Sequence, residues 1–235
     1  MAVSVRARKS EDFFKTVETN AHSVGMSVNT KKTQMLCISA ALHANVTSYI
    51  KINNEIINDQ ESLKILGFMF GSKPDVSSQV NAMCKKFRRR VWVLRHLKKA
   101  GIPKPDLVRL YVSLVLPTLD YSSVVYHSML NKTQCQQLEG LQKLALKIIY
   151  GVTGVTYTSL LERSGLSPLS QRRLSLVDGF IKKLVTNPRY RDWFPTKEFI
   201  HHDLRKENIY VEKFARTSRL YNSPLYFYRR RLNNM

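Results

Sequence analysis

Cysteine is scarce in these 235 residues: Cys37, Cys84 and Cys135 stand far apart and form no CxxC pair. An odd number at such spacings fits reduced, buried thiols, and argues against a disulfide framework or a zinc module. No apolar run approaches the ~20 residues of a membrane span. The opening Met1-Ala2-Val3-Ser4-Val5-Arg6 is too short and too soon charged for a signal peptide. His22, His43, His96, His127, His201 and His202 form no ligand spacing, and the adjacent pair would point apart on a helix or a strand. Acidic residues are missing over a long interval, with none between Asp75 and Asp106. No Asp-Asp pair follows an aromatic residue on a strand, and there is no internal repeat or low-complexity tract. The expectation is an intracellular chain with no metal site, no cofactor and no membrane partner, for which the nucleus is one suitable compartment.

What the chain has in excess is positive charge: a formal net +21 and a pI near 10.1. Its distribution is uneven. Residues 1–78 hold nine Lys/Arg against seven Asp/Glu, whereas 79–235 hold twenty-nine against ten. Polyphosphate is the natural counterion for so one-sided a surface, through counterion release. An anionic membrane or an acidic protein would satisfy charge alone. The 43% hydrophobic content suffices for a core in one or two domains.

Periodicity changes along the chain. Phe13, Phe14, Val17 and Ala21 recur at helical spacing over Asp12 to Ser23, and Gly25 is placed to end that helix. Strands are expected at Gln34–Ser39, Tyr49–Ile52 and Leu63–Phe70, with Asn53-Asn54-Glu55 as a turn before Ile56-Ile57. Gly67 permits a bend or close backbone approach. After an entry signal at Pro74-Asp75 the pattern becomes helical, with Val80, Met83, Cys84, Phe87, Val91 and Leu94 on one face. Pro103 and Pro105 open a second helix with Leu107, Leu110, Tyr111 and Leu114 inward, and Pro117 should kink or divide it. A third helix runs from Asn131 or Thr133 to Tyr150 with Leu138, Leu141, Ala145 and Ile148 as its seam, ending at Gly151. A short helix (Ser159 to Arg163) and a long one (Pro168 to Val185) follow, and beyond Asn187-Pro188 periodicity is lost.

The basic helix at 79–100 is the leading binding candidate. On a 3.6-residue wheel Lys85, Arg89, Trp92, His96 and Lys99 lie together, and Lys86, Arg88, Arg95 and Lys98 extend the set. Cations interleaved with an aromatic ring can follow phosphates while the ring stacks on a base. The plain alternative is a solvated face with Trp92 packed against a neighbouring helix, and for Trp92 itself packing is the preferred expectation.

Several segments together resemble a known family. They are Asn29-Thr30-Lys31-Lys32-Thr33 after a helix, and Leu63-Lys64-Ile65-Leu66-Gly67-Phe68. The match continues in Leu110-Tyr111-Val112-Ser113-Leu114-Val115-Leu116-Pro117 with Leu119-Asp120-Tyr121, and in Leu138 to Ala145. Leu166-Ser167-Pro168-Leu169 with Arg172-Arg173, and Arg216 to Pro224, complete it. In this order they resemble the late part of the reverse transcriptase, an RNA-directed DNA polymerase, of non-LTR (LINE-type, Jockey-like) retrotransposons. The resemblance implies a late palm followed by a thumb and its C-terminal continuation. It places Asn29, Lys32 and Thr33 in the turn beside the nucleotide site, where Lys32 would act as a charge clamp or a proton donor. Leu66 and Gly67 would lie in the strand against the primer backbone. The plain reading of the turn is that Asn29 and Thr33 cap it and Lys32 is solvated. Arg172 and Arg173 fit either an ion pair within the helices or a nucleic-acid contact.

The family's metal-binding Asp pair, and the magnesium it holds, should precede this segment. The only acids before the turn are Glu11, Asp12 and Glu18, and the adjacent pair reads as helix-dipole partners. Fingers, most of the palm, an endonuclease and the Cys/His knuckle of several relatives are missing. The expected fold is therefore α+β. A partial palm over 1–74 with a small sheet precedes a basic, thumb-like helical domain over 75–186 and an irregular basic tail over 187–235. The expected function is binding of RNA, DNA or an RNA–DNA hybrid by a truncated transposable-element polymerase inactive on its own. The alternatives are a helical adaptor recruited by the host and a non-functional remnant.

Overall fold

The computed structural model describes residues 10–38, 49–52, 55–73, 75–197 and 209–235. Expectations at Pro74, Asn53-Asn54, Ser39, His43, His201 and His202 lie outside them. The fold is mixed α and β, with ten α-helices and two antiparallel two-stranded sheets among the described residues. The chain divides into two compact units, Met1–Ala82 and Met83–Met235.

In the first unit, α1 (Ser10–Ser23) half-buries Phe13, Phe14, Val17 and Ala21. It stops at Gly25, whose φ of 74 lets Met26 N–H reach the Ala21 carbonyl at 2.8 Å. The expected strand from Gln34 is reduced to a single bridge, Met35 to Asp59. The reason is a side chain: Cys37 N–H donates to the Asp59 carboxylate at 2.7 Å where a ladder would offer a carbonyl. Strands β1 (Tyr49–Ile52) and β2 (Glu55–Asn58) form a hairpin in which Ile50 faces Ile57, and alternation buries Ile50 and Ile52. The expected single strand over Leu63–Phe70 is instead a second hairpin, β3 (Ser62–Ile65) with β4 (Phe68–Gly71). Leu66 and Gly67 take φ of 48 and 84, the two left-handed positions of a two-residue type I′ turn, so the chain reverses there. The carboxamide of Gln79, itself buried, accepts from Met69 N–H at 2.9 Å.

Helix α2 (Ser77–Lys99) continues into the second unit, and Val80, Met83, Cys84, Phe87, Val91 and Leu94 are all buried, as their spacing predicts. Helix α3 (Lys104–Leu110) runs into a π-turn at Tyr111–Val115, closed by Leu116 N–H to the Tyr111 carbonyl at 2.9 Å. The extra residue of that turn shifts the helical phase. Val115 and Leu116 are therefore buried, while Leu114, expected inward, is 51% exposed. Pro117 then opens α4 (Pro117–Asp120), because its missing N–H costs nothing at a first position. After α5 (Ser123–Tyr126) comes α6 (Lys132–Tyr150), capped reciprocally by Asn131 and Gln134 and ended by Gly151 at φ 67. Its seam buries Leu138, Leu141 and Ala145, with Ile149 in the place expected for Ile148.

Helices α7 (Tyr157–Ser164) and α8 (Leu169–Thr186) follow. The region expected to be irregular contains α9 (Ser218–Tyr221) and a packed α10 (Pro224–Leu232). Tyr228 joins Val177, Ile181, Leu184 and Phe194 in a core, and its hydroxyl donates to the Val124 carbonyl. Arg231 grips Asp178 of α8 through two hydrogen bonds of 2.8 Å. Leu225, Phe227 and Leu232 pack against the same core.

Candidate nucleic-acid interface

The outer face of α2 is built by default. Once its apolar stripe is buried, the remaining positions are held in solvent at fixed angles by a helix whose interior is locked. Lys85, Lys86, Arg88, Arg89, Arg95 and Lys99 are exposed, and none of these six makes an ion pair among the described residues. From Lys85 to Lys99 the helix runs about 21 Å, at 1.5 Å per residue. Trp92, expected to pack against a neighbouring helix, is instead 57% exposed. Its ring lies 3.7 Å from that of His96, centroid to centroid, and His96 Nδ1 is 3.0 Å from the Trp92 carbonyl. The indole is thereby propped in one orientation amid the cations.

Two basic residues of this helix do something else. Lys98 is half-buried and donates to the Ile148 carbonyl at 2.6 Å, satisfying an orphan carbonyl in the last turn of α6. Arg90 donates to the Leu114 carbonyl beside the π-turn. Lys98 therefore drops out of the surface set, and six cations remain.

In the first unit the Asn29–Thr33 turn is self-contained. Asn29 Oδ1 accepts from Lys32 N–H at 3.2 Å, and Thr33 Oγ1 donates to the Asn29 carbonyl at 2.8 Å. These bonds form a 3-10 turn over Thr30–Lys32 with Lys31 and Lys32 exposed. At the second hairpin tip Leu66 is 90% exposed in a left-handed conformation that costs a leucine about 1 kcal/mol.

Arg172 is half-buried and Arg173 buried. Arg172 pairs with Asp120 at 2.9 Å. Burial raises the Asp120 carboxyl above its usual range, opposed by that guanidinium. Arg173 is fully buried near Tyr126, His127 and Cys135. Burial, and then the Arg173 charge, lowers the His127 imidazole to about 4. Sequence reasoning missed Glu139, which accepts from the α8 backbone at Leu169 (3.1 Å) and Ser170 (2.7 Å) and from the Tyr157 hydroxyl (2.7 Å). No local spacing signals a cap supplied from thirty residues away.

The carboxylates at hand do not fit a magnesium pair. Asp12 is exposed on the first turn of α1, and Asp59 is engaged by Cys37 N–H. Among the described residues no three His, Cys, Asp or Glu side chains converge. No helix among the described residues is long and apolar enough to cross a membrane. Compared with known proteins, the chain matches no family model, no curated protein sequence and no solved structure.

Proposed function

We propose that this chain is a nucleic-acid-binding fragment of a non-LTR retrotransposon reverse transcriptase, engaging RNA, DNA or an RNA–DNA hybrid without polymerase activity of its own. One observation carries the reading. Six exposed cations without ion pairs among the described residues share the outer face of α2 with the Trp92–His96 stack, in a stretch of sequence with no acid. The segment-by-segment sequence resemblance supplies the family, and the strained Leu66 tip is consistent with a hairpin that leans on a primer backbone.

In this reading the face works by charge and position, not by bond-making. Each Lys or Arg that meets a phosphate releases condensed counterions, and the indole supplies a surface on which a base can stack. Nucleotidyl transfer needs two metal ions held by carboxylates. Among the described residues no such set of carboxylates converges, and primer extension with magnesium or manganese is expected to fail. Titrating a fluorescent RNA–DNA hybrid with pure protein across a range of salt concentrations tests the reading. Between three and six neutralised phosphates give a log–log slope between roughly −3 and −5. A slope near zero, or no binding at low salt, would sink it.

A further inference from the structure

The three consecutive arginines of α10 have three different fates. Arg229 is buried and donates through Nε to the Trp193 carbonyl at 2.9 Å. Arg231 is locked onto Asp178. Arg230 instead lies over the Tyr221 ring, its guanidinium carbon 3.5 Å from the centroid. That stacked pair forms part of the wall of an open cavity of about 370 Å3, to which Phe214, Tyr226, Lys213 and Arg229 also contribute. Phe214 is 86% exposed, so a face of its ring is open to a ligand.

The cavity wall is held in place. Asn233 clamps the strand-like segment opposite α10: its carboxamide accepts from Tyr210 N–H at 2.9 Å and donates to the Tyr210 carbonyl at 3.1 Å. The same amide donates to Glu212 Oε1 at 2.8 Å, tying down the one carboxylate among the lining residues. Val211 N–H adds a bond to the Pro195 carbonyl at 2.9 Å. From 209 to 235 the chain carries six Lys/Arg and a single acid.

Three aromatic rings with guanidinium and ammonium groups at one opening disfavour a cationic ligand and favour a flat, anionic one. The size suits a single base with its sugar, within the roughly 300–1,000 Å3 of small-ligand sites. We propose that this cavity holds one unpaired base of single-stranded RNA or DNA, stacked on Phe214, with Lys213 and Arg230 on the flanking phosphates. The proposal rests on the nucleic-acid-binding reading above and adds a second site, specific for unpaired strand.

The test uses the full chain and 12-nucleotide RNA and DNA strands carrying one central 2-aminopurine, whose fluorescence falls on stacking. Wild type should quench it in at least one of the two strands. Phe214→Ala, which removes an exposed side chain and leaves the fold intact, should abolish the quench and weaken single-strand binding at least about fivefold. Its affinity for a fully paired RNA–DNA hybrid should stay within twofold. Arg230→Gln should reduce the single-strand salt slope by about one. Unchanged quench and affinity in both variants, with hybrid binding intact, would overturn the cavity assignment and leave the α2 face standing. Equal affinity for a free mononucleotide would make this a small-molecule site and overturn the choice of single strand. Absence of any nucleic-acid binding by wild type would remove both readings together.

Discussion

Glu139 offers a quantitative test of how the helical unit is held. Helix α8 begins at Pro168 with no side-chain cap of its own and no acid in its first turn. Its orphan N–H groups at Leu169 and Ser170 are met by the Glu139 carboxylate, which also accepts from Tyr157. Hydrogen bonds to a charged group contribute about 1.5–3 kcal/mol each in favourable settings, and an acid at a helix N-terminus adds about 0.3–1 kcal/mol. The terms do not add, since water can reach the exposed Ser170 amide. Glu139→Ala should therefore cost about 2–4 kcal/mol, lowering Tm by roughly 5–15 °C for a chain of this size. Glu139→Gln keeps one acceptor oxygen and should cost about half as much. Tyr157→Phe removes the hydroxyl partner, whose own pKa is pushed up by burial and by that carboxylate. Combined with Glu139→Ala it should show a coupling of about 0.5–1.5 kcal/mol. Circular dichroism at 222 nm against temperature and urea reads the four variants and wild type. A Glu139→Ala protein within about 0.5 kcal/mol of wild type would refute the idea that this carboxylate joins α6 to α8.

Trp92→Ala should leave Tm within about 2 °C, because the ring is 57% exposed, and should weaken hybrid binding several-fold in a fluorescence titration; a large loss of stability would mean the ring is core. Leu66→Asn should stabilise the second hairpin by about 0.5–1 kcal/mol, since Asn tolerates the left-handed φ of 48, while reducing affinity for a hybrid; hydrogen exchange at Ser62–Gly71 measures the first effect. His127 is lowered to about 4 in the folded chain, so the unfolded chain takes up the proton first, and this contribution, present above pH 6.5, is lost as pH falls towards 4. Its size is at most about 3 kcal/mol, and His127→Gln should flatten urea midpoints between pH 7 and pH 4.5 relative to wild type. That comparison separates it from Asp120, whose raised carboxyl acts in the opposite sense.

Much of the helical unit was legible because burial there follows simple periods. The stripe from Val80 to Leu94 and the ends of α6 at Asn131 and Gly151 depend on local chemistry that a sequence displays directly. What stayed hidden depends on events that periodicity cannot register. A single π-turn exchanged Leu114 for Val115. A leucine, a residue with no turn preference, occupies the first left-handed position of the hairpin at Leu66. The α2 site was legible as charge, but separating Lys98 from the surface set needed its carbonyl partner, Ile148. Arg230 and Tyr221 sit nine residues apart on separate short helices, so the stack between them follows from how α10 is anchored rather than from spacing.

Whether the outer face of α2 meets phosphates is the central question. Replacing Lys85, Arg89 and Lys99 together by Gln, all exposed and none in an ion pair among the described residues, should not disturb the fold. Hybrid affinity is then measured against salt for this protein and for wild type. The slope should become shallower by roughly one for each cation removed from a phosphate, close to three in all, and about equally for unrelated hybrid sequences. A triple variant with unchanged affinity and unchanged slope would show that these cations only solubilise the helix, and the nucleic-acid reading of this face would be wrong.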